Sequence, residues 1–253
     1  MDDIERKIRD PNVSFEEIIS DPFAIKLYKF QNQTVHFYFK NHALDLIQSA
    51  LSNTKTAVQN NSFTIIILGD PDILSAILRS EKFLDLALQI VDATTEEPYV
   101  LGRLSTIMLS CLQTVPDLAT QSFGFIYHLL PHCSNPSVSH FFESIISDNE
   151  RYLCAHKWLI DFGFVEYLFR EFQKIDFEYV STESNPYFDT IYEQVFSLYQ
   201  ILSKCATNPI IFPHIINQDL KGFRLIDFLA MDFRNTPVYV ENARWKSILA
   251  LTT

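Results

Sequence analysis

The residues of this chain that could do chemistry gather first in "HLLPHCSNPSVSH", which holds His128, His132, Cys133 and His140. These are zinc-compatible ligand types, and on an α-helix a four-residue spacing would put His128 and His132 on one face. Pro131 lies between them and is expected to end the helix that would align them. No paired cysteine and no acidic general base accompanies them. The plain reading is a helix end with histidines at its rim, and no metal ligand is assigned.

A second candidate is "IDFGF", Ile160 to Phe164, which contains Asp-Phe-Gly. In a kinase that aspartate holds magnesium, and a glycine-rich loop, a strand lysine and a His-Arg-Asp loop accompany it. None of these is in the sequence. The expected structure is a helix ending around Phe162, Gly163 as its cap, and a new helix in "FVEYLFREF". A third candidate is "TIIILGD", Thr64 to Asp70, which reads either as a strand entering a phosphate loop or as a helix junction. One glycine does not make a phosphate cradle, and neither G-x-G-x-x-G nor G-x-x-x-x-G-K occurs. No G-x-S-x-G elbow is found either. The sequence therefore assigns no catalytic residue, no cofactor and no metal. Partner-binding residues are not encoded in a local motif.

The elements around these residues are helical by pattern. Asp70 is a good N-cap and Pro71 a good first helical residue. Ile73 and Ile77, then Leu74 and Leu78, recur four apart, and Gly69 stands where a left-handed residue closes a preceding helix. Ala57, Phe63 and Ile67 suggest the apolar face upstream. The same Asp-Pro or Asn-Pro start recurs at Asp21–Pro22 and Asn135–Pro136. A stripe of Phe83, Leu84, Ala87, Leu88 and Val91 follows Ser80. A helix runs from about Pro98 to Val115, another from Asp189 to Cys205 with Ile191, Val195, Leu198 and Leu202 in line, and "VENARWKSILALTT" closes the chain. Phe177 to Phe188, "FEYVSTESNPYF", reads as a polar surface loop. Tyr28, Phe30, Phe37, Tyr38 and Phe39 are dense for one helix; most are expected in the core, with one or two free to anchor a partner.

Composition agrees. Only 5 of the 253 residues are glycine and 22 are phenylalanine, which favours helices packed on helices over turn-rich sheets. The formal net charge of -11 argues against a duplex nucleic acid or an anionic membrane surface as partner. No apolar run reaches the ~20 residues that span a bilayer, and the N-terminus lacks a signal-peptide core. The sequons at Asn12, Asn32 and Asn60 are then chance matches. The four cysteines, Cys111, Cys133, Cys154 and Cys205, form no C-x-x-C pair and read as reduced core residues in the cytosol or nucleus. The expected fold is all-α, an armadillo/HEAT-like α-solenoid of irregular helix pairs in a single domain over residues 1–253.

In order and spacing the chain resembles the SAPS domain of regulatory subunits of protein phosphatase 6-type enzymes. The likeness is carried by "SFEEIISD" at Ser14 to Asp21, "KFQNQTVHFYF" with Gln31 and Asn32, and "HALDLIQSAL" with Leu44, Asp45, Leu46 and Ile47. It continues through "IIILGDPDILSAILRSEKFLDLALQIVD", "PYVLGRLSTIMLSCL", "GFIYHLL", "SVSHFFESIIS" and "KWLIDFGFVEYLFREF" with Trp158. It covers residues 12–175; beyond them the chain matches only as helices. It ends at "SILALTT", where family members continue, so a partner surface further along the family domain would lie outside these residues. The resemblance implies a non-catalytic subunit that binds a serine/threonine phosphatase catalytic subunit, with further adaptor proteins as possible company and no metal of its own. Composition alone equally allows an armadillo-like adaptor of trafficking or signalling with no phosphatase link.

Overall fold

Short polar residues open seven of the described helices. In the computed structural model, residues 2–54, 56–93, 98–147, 150–175, 188–219 and 236–252 are described. The proposed loop at 177–187 lies outside them. The chain divides into two compact units, Met1–Ser122 and Phe123–Thr253.

The first unit contains α1 (Asp2–Arg9), α2 (Phe15–Ser20), α3 (Pro22–Lys29), α4 (Gln33–Asn41), α5 (Ala43–Ala50), α6 (Ala57–Ile67), α7 (Pro71–Leu78), α8 (Glu81–Asp92), α9 (Pro98–Thr114) and α10 (Pro116–Ser122). The side chains of Ser14, Asp21, Asn32, Thr56 and Asp70 each accept a backbone N–H of the first turn that follows. Such a cap contributes about 1 kcal/mol. Pro22 and Pro71 occupy first-turn positions where no N–H is missed. The second unit contains a 3₁₀ turn (Ile126–His132), α11 (Pro136–Ile146), a second 3₁₀ turn (Glu150–Tyr152), α12 (Leu153–Asp161), α13 (Phe164–Gln173), α14 (Phe188–Thr207), α15 (Phe212–Asp219) and α16 (Val238–Thr252). No strand occurs among the described residues.

Within each unit the main contacts join helices close in sequence: α5 to α6 and α7, α2 to α6, α6 to α9, and in the second unit α11 to α14 and α14 to α16. This is the local, stacked packing of an all-α armadillo-like solenoid built from irregular helix pairs. Ile18, Leu46, Ile65, Leu74 and Leu104 lie at the centre of the first unit; Phe141, Phe142, Leu168, Leu198 and Tyr199 lie at the centre of the second.

Many short helices leave many carbonyls without an intrahelical partner. The fold satisfies several of them with side chains from other helices. Asn61 donates to the Ile19 carbonyl at 2.8 Å, Ser122 to Leu78 at 3.3 Å, and Asn208 to Ile146 at 2.7 Å. His156, fully buried, places Nε2 3.0 Å from the Ser147 carbonyl. Ser247 reaches the Tyr199 carbonyl at 2.7 Å and so fastens α16 to α14. Polar side chains here act as mortar between helices.

The junction at Thr64–Asp70 is helix to helix. α6 runs through Ile67, Gly69 takes φ 75°, its N–H bonds the Ile66 carbonyl, and Asp70 caps α7. The face read upstream is corrected. Ile65 and Ile66 are buried with Gln59 and Ser62, whereas Ala57 and Ile67 are exposed. Ile65 to Leu68 is apolar over a full turn, so periodicity does not fix which side faces in. The next stripe is also narrower than read: Phe83, Ala87 and Val91 are buried and Leu84 is exposed. No single described helix is long and apolar enough to cross a membrane; α6 and α7 pass only as a pair, bent by 107°.

Candidate functional site

The zinc-compatible set is dispersed. His128 and His132 sit in a 3₁₀ turn, where residues three apart eclipse and residues four apart point a third of a turn away. Cys133 is buried, and burial, with Glu171 and Glu143 nearby, pushes its thiol well above the ordinary range. His140 is exposed and lies 3.4 Å from the Ser144 hydroxyl. Among the described residues no group of three His, Cys, Asp or Glu side chains is placed to hold a metal ion.

Asp161-Phe162-Gly163 is a helix junction. α12 ends at Asp161, Phe162 is its cap, and Gly163 takes φ 70° before α13 begins. Asp161 faces solvent. Of the four cysteines, Cys111, Cys133 and Cys205 are buried and free; Cys154 is exposed, which corrects its placement in the core. It lies at the second position of α12, in the first turn beside the exposed Leu153.

Two polar clusters belong to no sequence motif. Arg103, on α9, is only 7% exposed and lies between two rings, 4.6 Å from the centroid of Phe63 and 4.4 Å from that of Tyr99. Its guanidinium donates to the carbonyls of Ala50 at 3.2 Å and Gln59 at 3.1 Å, and to Asn60 Oδ1 at 2.5 Å. Ala50 ends α5, so the cation meets the negative end of a helix. Burial lowers the guanidinium pKa. No carboxylate is among these partners. Arg103 is a staple joining α5, α6 and α9. The second cluster joins His36 Nδ1 to Asp70 Oδ2 at 3.0 Å and His36 Nε2 to the Tyr28 carbonyl at 3.0 Å, with the Tyr28 ring stacked at 4.2 Å. It ties α3, α4 and α7. Asn32 and Asn60, two of the sequon asparagines, are both used structurally, as the α4 cap and as the Arg103 acceptor.

The aromatic group at Tyr28–Phe39 belongs to two helices, not one. α3 ends at Lys29, and Gln31 turns the chain at φ 59°. Tyr28 and Phe39 face the core and stack edge to face at 5.8 Å. Phe30 and Phe37 face out, 73% and 67% exposed, and Phe23 joins them at 65%. Phe23 on α3 and Phe30, its C-cap, are seven residues apart and face the same side. In the second unit, Val238, Trp245 and Leu249 are likewise exposed along α16. Large apolar side chains are thus exposed on helices of both units.

No protein-family model matches the chain. No curated protein matches it. Among solved structures, an engineered protein (target OR329) is similar at 16% identity and TM-score 0.47, over 100% of this chain and 97% of that one. A designed armadillo repeat protein in complex with the peptide (KR)4 is similar at 14% identity and TM-score 0.47, over 98% of each chain. A second engineered protein (target OR366) is similar at 13% identity and TM-score 0.45, over 99% of each chain. These scores lie below 0.5, and the all-helical architecture rests on the helices of the chain itself.

Proposed function

We propose that this chain is a non-catalytic scaffold that binds a serine/threonine phosphatase catalytic subunit of the type 6 class and modulates or targets its activity. The scaffold part of the reading is supported by the stacked helices, which expose Phe23, Phe30 and Phe37 on one unit and Trp245 and Leu249 on the other. Rigid helical arrays with exposed aromatic anchors suit protein recognition. The phosphatase part is carried by one observation, the ordered resemblance of residues 12–175 to the SAPS domain. The second reading, an armadillo-like adaptor with no phosphatase link, shares the fold and lacks that resemblance.

The test is co-expression of the chain with a type 6 catalytic subunit, followed by size-exclusion chromatography. Co-elution in near-equal amounts, with altered dephosphorylation of a phosphopeptide, is the expected result. Separate elution at micromolar concentrations would overturn the phosphatase reading and leave the adaptor.

A further inference from the structure

We propose that the outward side of the α3–α4 hairpin docks an acidic amphipathic helix of a partner protein. This rests on the scaffold reading but not on the identity of the partner. The charge of the hairpin carries it. In a chain of formal charge -11, Pro22–Asn41 contains Lys26, Lys29 and Lys40 and no Asp or Glu. Four acidic groups at its edges are already engaged, while Glu16 lies near Tyr38 on α4. Asp21 accepts from Lys7 at 2.8 Å, Asp70 pairs with His36 at 3.0 Å, and Asp72 accepts from Lys40 at 2.6 Å. Glu5 accepts from Asn32 at 3.2 Å. Lys26 and Lys29 have no ion-pair partner among the described residues, and both are exposed.

The apolar anchors run beside these two cations. Lys26 lies three residues after Phe23 and four before Phe30, so the three form one stripe, Phe–Lys–Phe, along α3 and its C-cap Phe30. The opposite side of the helix, Ala24 and Tyr28, is buried. On α4, Phe37 lies opposite the buried Val35 and Phe39. Phe23 and Phe30 stand about 10 Å apart along the axis, two helical turns. That spacing fits the i and i+7 anchors of a partner helix, whose flanking carboxylates would meet Lys26 and Lys29. An anionic bilayer fits less well. It selects clusters of about four to eight cations, and the charge of the whole chain opposes it.

The test measures anisotropy of a labelled synthetic helix with leucines on one face and glutamates on the other, beside a matched helix with lysines for glutamates. The acidic helix is expected to bind, with affinity that falls as salt is raised. Phe30→Ala with Phe37→Ala should weaken binding about tenfold or more. Lys26→Glu with Lys29→Glu should weaken it similarly, and does not depend on removing apolar groups. Trp245→Ser, in the other unit, should leave binding unchanged. Equal binding of the two helices, no binding of the acidic one, or indifference to both double variants would overturn the proposal. So would sedimentation with phosphatidylserine-containing vesicles in place of peptide binding. None of these readings depends on a phosphatase, so this surface and the type 6 assignment stand or fall separately.

Discussion

Arg103 lies with its guanidinium 4.4 Å from the ring centroid of Tyr99, four residues earlier on the same helix, and both side chains reach Asn60 Oδ1. The contact is a helical i,i+4 pair turned to hold a buried cation. Its counter-groups are two carbonyls, one amide oxygen and two π-faces, not a carboxylate. Removing the fork would leave the Ala50 and Gln59 carbonyls without this donor. Arg103→Met should therefore destabilise the protein by about 2–4 kcal/mol. Arg103→Lys should recover only part of this, because an ammonium cannot serve three acceptors in one plane and stack on two rings. Urea unfolding followed by circular dichroism measures both. A loss within about 0.5 kcal/mol for either variant would show that the staple is redundant.

Gln31 and Gly69 do the same work with unequal ease. Both close a helix in the left-handed region, at φ 59° and φ 75°. Around Gln31 the N–H bonds Tyr28 O at 2.9 Å and the Asn32 N–H bonds Leu27 O at 3.0 Å, a full Schellman motif. A side chain costs about 1 kcal/mol in that conformation. Gln31→Gly should raise stability by up to about 1 kcal/mol. Gly69→Ala should lower it by about 1 kcal/mol or more, since its Cβ would also stand 3.2 Å from Thr114 Oγ1. Thermal melts of the two variants should shift in opposite directions; a shared sign would contradict the backbone account.

Helix starts were legible in this sequence because their chemistry is local. Asp21–Pro22, Asp70–Pro71 and Asn135–Pro136 each name a cap and a first turn, and each opens a helix. Gly163 marked the α12–α13 junction for the same reason. The break between α3 and α4 was hidden because Gln31, not glycine, takes the left-handed turn. The buried face of α6 was hidden because its isoleucines ring the helix and the true inner face includes Gln59 and Ser62. Nothing in "LGRLST" distinguishes Arg103; the approach of Ala50, Gln59 and Phe63 from other elements makes it a core residue. The exposed phenylalanines were legible as a dense group. Which of them face out depends on the phase of each helix, and that phase is set by tertiary packing.

Thiol chemistry separates the cysteines by burial. Burial pushes the Cys111 thiol up to about 12 and those of Cys133 and Cys205 higher than their ordinary value. The thiolate is the reactive form, so these three should resist modification in the folded protein. Cys154 is exposed. An aromatic disulfide reagent at neutral pH should release about one equivalent of chromophore rapidly from the native chain and all four in denaturant. Cys154→Ser should abolish the fast phase. Fast reaction of a second thiol in that variant would mean that a core helix opens on the timescale of the assay.

Asp21 supplies a pH dependence whose sign follows from its contacts. It caps α3 through the Phe23 N–H at 3.0 Å and accepts from Lys7 at 2.8 Å. The Lys7 hydrogen bond is the main cause that holds its carboxyl below the ordinary value, against the opposing effect of partial burial. The folded pKa is thus lower than the unfolded one. The unfolded chain takes up the proton first as pH falls, so the contribution is complete above an unfolded pKa of about 3.9 and is lost as pH drops through the lower, folded value. Asp21→Asn keeps a capping oxygen but removes this proton linkage. The wild-type chain should be the more stable of the two at neutral pH, and the gap between their urea midpoints should close below about pH 4. Midpoints measured across that range decide it: a gap that stays constant with pH would mean that folding does not lower the Asp21 pKa, against the Lys7 and cap contacts.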